Sequence, residues 1–130
     1  MKWYLAIVLG VAGGYYYISQ HLDFDKTLAY AKAHKEEKWA APINYYSGWT
    51  YYQRSDYGKA EEAFNQLLTD QATSYAYLAD TYLYNEDAAE FNHDWEVAKD
   101  MCRRYLEEFP EGKEVQLMTK RLELLKYHHP

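Results

Sequence analysis

The residues best suited to chemistry crowd into one stretch: Glu86, Asp87, Glu90, Asp94 and Glu96 place five carboxylates, with the imidazole of His93, inside eleven residues. An oxygen-rich segment of this kind holds calcium when the acids alternate around a turn glycine, and neither feature is present here. Residues 85–93 are therefore expected to form a solvated acidic loop, the alternatives being a bound cation or a basic partner surface. Cys102 is the sole cysteine, which excludes an internal disulfide, a Cys-rich zinc module and c-type haem attachment. Its thiol is expected to be a buried small hydrophobe rather than a nucleophile. The pair His128 and His129 has metal-binding side chains but is expected to dangle. No phosphate-cradling glycine loop, serine nucleophile elbow or His-Glu-x-x-His helix occurs. The expectation is a chain with no catalytic residue, no cofactor and no metal.

Composition points the same way. The 130 residues carry 14 Lys+Arg against 20 Asp+Glu, a formal net charge of -6, which argues against nucleic acid as a partner. The length suits one domain with a short appendage. An apolar fraction of 48% suffices for a core, and 16 tyrosines are the anomaly. Tyrosine and tryptophan bury much area with few rotamers to freeze, so they make efficient protein contacts.

The elements that must position these side chains are helical. Beyond His21 the chain is rich in Ala, Leu, Glu, Lys and Tyr, with Gly and Pro confined to a few places and no strand-like alternation. Helices are predicted over 24–39, 43–53, 58–68, 73–84, 95–109 and 113–127. Asp56 suits an N-cap, Pro42 lies near a helix start, and Pro110 ends the fifth of these helices. In the last one, Val115, Met118, Leu122 and Leu125 share one face, and the rest is polar, as a terminal cap requires.

Short helices must stack in pairs to bury a core, and the chain matches itself in pairs. Gly48, Tyr51, Ala60 and Phe64 fall on the small and large positions of the W-x2-L-G-x2-Y…A-x3-F…P pattern, while Asn44, Ser47 and Ala72 depart from it. A second copy reads through Tyr75, Leu78, Ala79 and Tyr82, then Ala98, Cys102 and Pro110, with an insertion of seven residues within 85–93. On these residues the region 41–110 resembles the tetratricopeptide repeat family. The resemblance implies an all-α fold of about two helix-turn-helix repeats with flanking helices. It also implies a partner-binding groove lined by the first helix of each pair. Carried onto this chain, the groove positions are Tyr45, Trp49, Tyr52 and Gln53, then Ala76, Asp80, Leu83 and Tyr84. The paired basic positions that hold acidic peptide termini in some members are missing.

The first twenty residues differ from the remainder. Trp3 to Ile18 form 16 positions without a charge or strong polar group. At about 1.5 Å per residue they reach about 24 Å, short of a roughly 30 Å hydrocarbon layer, yet Trp3, Tyr4, Tyr15, Tyr16 and Tyr17 sit where aromatic belts form. Residues 1–20 are expected to be a retained transmembrane anchor, with a cleaved signal peptide as the rival reading. Ala6, Gly10 and Gly14 make a stripe of small residues for helix packing in lipid. The domain, residues 21–130, is then expected to lie outside, in the periplasm or extracellular space. The functional expectation is a non-enzymatic, single-pass scaffold or accessory subunit of a membrane protein complex. A periplasmic chaperone or assembly factor is the alternative.

Overall fold

The computed structural model describes residues 2–21, 24–70 and 75–130, and among these the chain forms seven α-helices and no strand. They are α1 (Lys2–His21), α2 (Phe24–Ala33), α3 (Ala40–Gln53), α4 (Tyr57–Asp70), α5 (Tyr75–Phe91), α6 (Trp95–Glu108) and α7 (Val115–His128). The all-α expectation therefore holds for the described residues. Ala72 and Thr73, expected to close the first repeat and open the next helix, lie outside them.

Local chemistry explains the ends. Pro42 is the third residue of α3, where no amide donor is owed to the helix. The carboxylate of Asp56 accepts the Lys59 amide at 3.5 Å, opening α4 as the N-cap pattern predicts. Helix α2 stops at Ala33, short of the expected Trp39. Beyond it the rings of Tyr30, His34 and Trp39 pile together, Tyr30 on His34 at 4.1 Å and on Trp39 at 5.4 Å between centroids.

Helices α3 and α4 form an antiparallel hairpin joined by residues 54–56, and α5 and α6 form another joined by 92–94. The two hairpins are in register at a spacing of 38: Gln53 and Phe91 end their first helices, Tyr57 and Trp95 begin the second ones, and Asp70 and Glu108 end them. The turns coincide bond for bond. Asp56 N–H donates to Tyr51 O at 2.9 Å and Asp94 N–H to Ala89 O at 2.8 Å. Ser55 and His93 both take the left-handed backbone, at φ 60 and 58. The counterpart of Tyr51 is therefore Ala89 and not Tyr82, and the seven-residue insertion does not exist. What was expected to be an acidic loop is the last two turns of α5.

The counterpart of Gly48 is accordingly Glu86, and that of Phe64 is Cys102. At Gly48 a Cβ would come within 2.7 to 2.9 Å of the Phe64 ring, so glycine is required by the close approach of α3 and α4. In the second hairpin the size order is reversed, a long side chain facing a small thiol. Ala60, Ala63, Phe64 and Leu67 of α4, Tyr82, Ala88 and Ala89 of α5, and Ala98, Cys102 and Tyr105 of α6 form the fully buried centre. Each large member contributes about 1.5–3 kcal/mol by leaving water. Helix α2 covers one end against α3 and α4, and α7 covers the other against α6.

The N-terminal segment corrects an expectation. Residues Lys2–His21 are helical, yet no helix among the described residues is long and apolar enough to cross a membrane. The uninterrupted aliphatic run is only residues 5–12; glycines, three tyrosines and the polar end from Ser19 dilute the remainder. At about 1.5 Å per residue that run spans about 12 Å, well under a roughly 30 Å layer. The transmembrane anchor, the single-pass and signal-anchor assignments, and the periplasmic or extracellular placement built on them are not supported.

Candidate functional site

The α3/α5 junction is built from tyrosines whose hydroxyls find acids. Tyr45 is buried against Tyr77 and Phe64, its ring centroid 4.9 Å from that of Tyr77. Burial and the neighbouring Asp80 push its phenol upward. Tyr52 donates to Asp87 Oδ2 at 3.2 Å and meets Tyr84 edge-on at 5.3 Å. Burial, then Asp87, pushes the Tyr52 phenol up to about 12.

From this junction a cleft of about 290 Å³ opens between α5 and α7. Asp80, Leu83, Tyr84 and Asp87 of α5 form one wall; Leu117 and Arg121 of α7, with Lys113 and Glu114 before that helix, form the other. Asp80, Leu83/Tyr84 and Asp87 recur at i, i+3/i+4 and i+7, a single helical stripe. Three predicted groove residues, Asp80, Leu83 and Tyr84, thus share one cleft, and Tyr45 and Tyr52 back onto it through Asp80 and Asp87. Asp87, Leu117 and Arg121 are additions that sequence reasoning missed, since the stripe becomes visible only when α5 is continued to Phe91.

Arg121 ties the cleft together. Its guanidinium donates to Asp87 Oδ1 at 2.6 Å and to Glu86 Oε2, so one side chain of α7 grips two successive carboxylates of α5. Glu86 is fully buried. Burial, then the adjacent carboxyl of Glu90, pushes Glu86 up to about 8, against the pull of Arg121. Oxygens of Glu86, Asp87 and Glu90 lie within 4.8 Å of one another. The Arg121 guanidinium already bonds two of these three carboxylates, so a cation's place in the group is filled by the protein itself. The cluster therefore serves as an interhelix clasp, and the expected solvated acids include its most buried member.

The other expected positions are distributed elsewhere. Trp49 faces away from α5 and lines a cleft of about 710 Å³ with Pro42, Ile43 and Tyr46, opposite Tyr15 and Ile18 of α1. That cleft is apolar, and its Thr50 hydroxyl is turned onto the Tyr46 carbonyl at 2.8 Å. Gln53 is exposed at the end of α3, and the side chain of Ala76 lies outside the described residues. Ala6, Gly10 and Gly14 are exposed, and a Cβ added at Gly10 or Gly14 would meet nothing within 4 Å. Cys102 is fully buried, as expected, and burial pushes its thiol up to about 12. The C-terminus does not dangle: the His129 ring stacks on Trp95 at 3.8 Å, and Lys99 donates to the His129 carbonyl at 2.8 Å. On the outer side of α7, Leu124 and Tyr127 are exposed, so the cap is less polar there than the pattern predicts.

No family model, no curated protein and no solved structure matches this chain. Its function is therefore argued from its own geometry.

Proposed function

We propose that the chain is a non-enzymatic helical-repeat module of tetratricopeptide type that binds a partner protein across the face made by α3, α5 and α7. In this reading it acts as a scaffold or accessory subunit of a larger assembly. The observation that carries the reading is the register of the two hairpins, α3–α4 and α5–α6, at a spacing of 38, with α3 packed against α5. Stacking of this kind brings the first helices side by side and leaves a continuous surface across them. Tyrosines crowd that surface, and partly exposed Leu83 and Tyr84 border its cleft. A rigid scaffold presenting aromatic and aliphatic side chains beside charged ones suits protein recognition.

Site-specific photocrosslinking in the native host tests the proposal. A photoreactive phenylalanine analogue at Tyr84 or Leu117 is expected to trap one protein of defined mass, and the same group at Glu62, exposed on α4, is expected to trap none. Equal adducts from all three positions, or none from Tyr84 and Leu117, would count against this face. A broad smear of adducts from the face would indicate transient binding to many chains, as a chaperone shows.

A further inference from the structure

We propose that the cleft between α5 and α7 receives a lysine or arginine side chain of the partner, flanked in the partner by apolar residues. The inference rests on the reading of this face as the binding surface and adds the chemistry of what enters it.

Shape sets the size of the occupant. Helix α7 packs on α6, and it is bridged to α5 by the Arg121 side chain, so the cleft stays open along the rest of its length. A volume of about 290 Å³ lies at the bottom of the range for drug-sized ligands and suits one long side chain. Leu83, Tyr84 and Leu117 supply apolar walls along which a flexible stem can lie.

Charge sets the sign. The lining holds the carboxylates of Asp80, Asp87 and Glu114 and the cations of Lys113 and Arg121. Arg121 is engaged by Glu86 and Asp87, while neither Asp80 nor Glu114 forms an ion pair among the described residues. Asp80 is exposed at the cleft. Glu86 and Glu90 lie beside Asp87 and add further negative potential, in a chain of formal net charge -6. An acidic side chain entering here would meet uncompensated carboxylates. A cationic one would pair with Asp80 or Glu114 and face Tyr84.

Three capped tripeptides serve as probes: acetyl-Leu-Arg-Leu-amide and the versions with Gln or Glu in the middle. Each is titrated into the full chain labelled with nitrogen-15, and the amides of Leu83, Tyr84 and Leu117 are followed by NMR. The expected result is shifts centred on those residues, at least tenfold tighter binding of the Arg peptide than of the Glu peptide, and weakening with added salt. Asp80→Asn, at an exposed position, is expected to remove most of that preference and leave the spectrum otherwise native. Equal binding of all three peptides in the cleft would overturn the charge assignment and leave the binding face standing. The same holds if Asp80→Asn leaves the preference unchanged. Shifts nowhere near the cleft with any peptide would remove both.

Discussion

Glu86 stands in the second hairpin where Gly48 stands in the first, 38 residues earlier, and the facing residues change in step from Phe64 to Cys102. The hairpins thus keep one backbone register with opposite solutions to the same packing problem. In the first, the backbone makes room for a ring. In the second, a buried carboxylate fills the space and is held by Arg121 from the next helix.

The first hairpin should tolerate no side chain at its crossing. Gly48→Ala places a Cβ within 3 Å of the Phe64 ring, so α3 and α4 must separate or the ring must leave its place. Overpacking of this type costs about 1–3 kcal/mol, read as a lowered midpoint in urea. The double variant Gly48→Ala/Phe64→Leu should recover part of the loss; additive losses would show that the two residues do not meet.

Stability should fall as the pH rises. Glu86 is raised in the folded chain from its ordinary 4.5 to about 8, so the folded state binds more protons than the unfolded state between those values. Its contribution is fully present below about pH 4.5 and is lost as pH climbs through about 8, at up to about 1.4 kcal/mol per pH unit. Glu61, raised by burial, acts in the same direction. Glu86→Gln should flatten the profile above pH 5 and raise the melting temperature at pH 8.5; an unchanged profile would refute the assignment.

Removal of Arg121 should depend on pH through the same group. Arg121→Met leaves Glu86 buried without its cation, a change that costs about 3–5 kcal/mol when the acid must stay charged. At pH 6 Glu86 can hold its proton, so the loss should be clearly smaller than at pH 9. Equal losses at both values would mean that Arg121 acts by packing alone.

Cys102 should be inert in the folded protein. Burial pushes its thiol up to about 12 and no solvent reaches it, so a disulfide reagent at pH 8 should react only at the rate of opening. Stoichiometric labelling within seconds under native conditions would contradict its placement between α5 and α6.

Much of the helical order was legible because apolar residues recur at helical spacing and Gly and Pro fall at ends. Helices α3 to α7 begin or end within a few residues of their predicted bounds, except at the C-terminal end of α5. That end was misread because Leu78, Ala79 and Tyr82 imitate Leu, Gly and Tyr of the repeat pattern, although their neighbours do not meet α6 as Gly48 meets α4. The correct signal was the turn itself, Ser55-Asp56-Tyr57 against His93-Asp94-Trp95, whose Asp and aromatic residue share one spacing to Ala60 and Ala98. With α5 carried to Phe91, the stripe through Asp80, Leu83/Tyr84 and Asp87 follows. The pairing of Arg121 with Glu86 was not legible, since 35 residues and a separate helix intervene. The N-terminal segment was over-read because tyrosine counts as apolar in a tally while its hydroxyl and the three glycines lower the hydropathy of the helix.

The most direct test of the account is stoichiometric purification of the tagged full chain from its own host, comparing wild type with Leu83→Asp, a half-exposed change on the proposed face. Mass spectrometry should find one partner in fixed ratio to the wild type, lost from the variant while its circular dichroism and melting remain native. A well-folded Leu83→Asp protein that retains the same partner at the same ratio would contradict the assignment of this face.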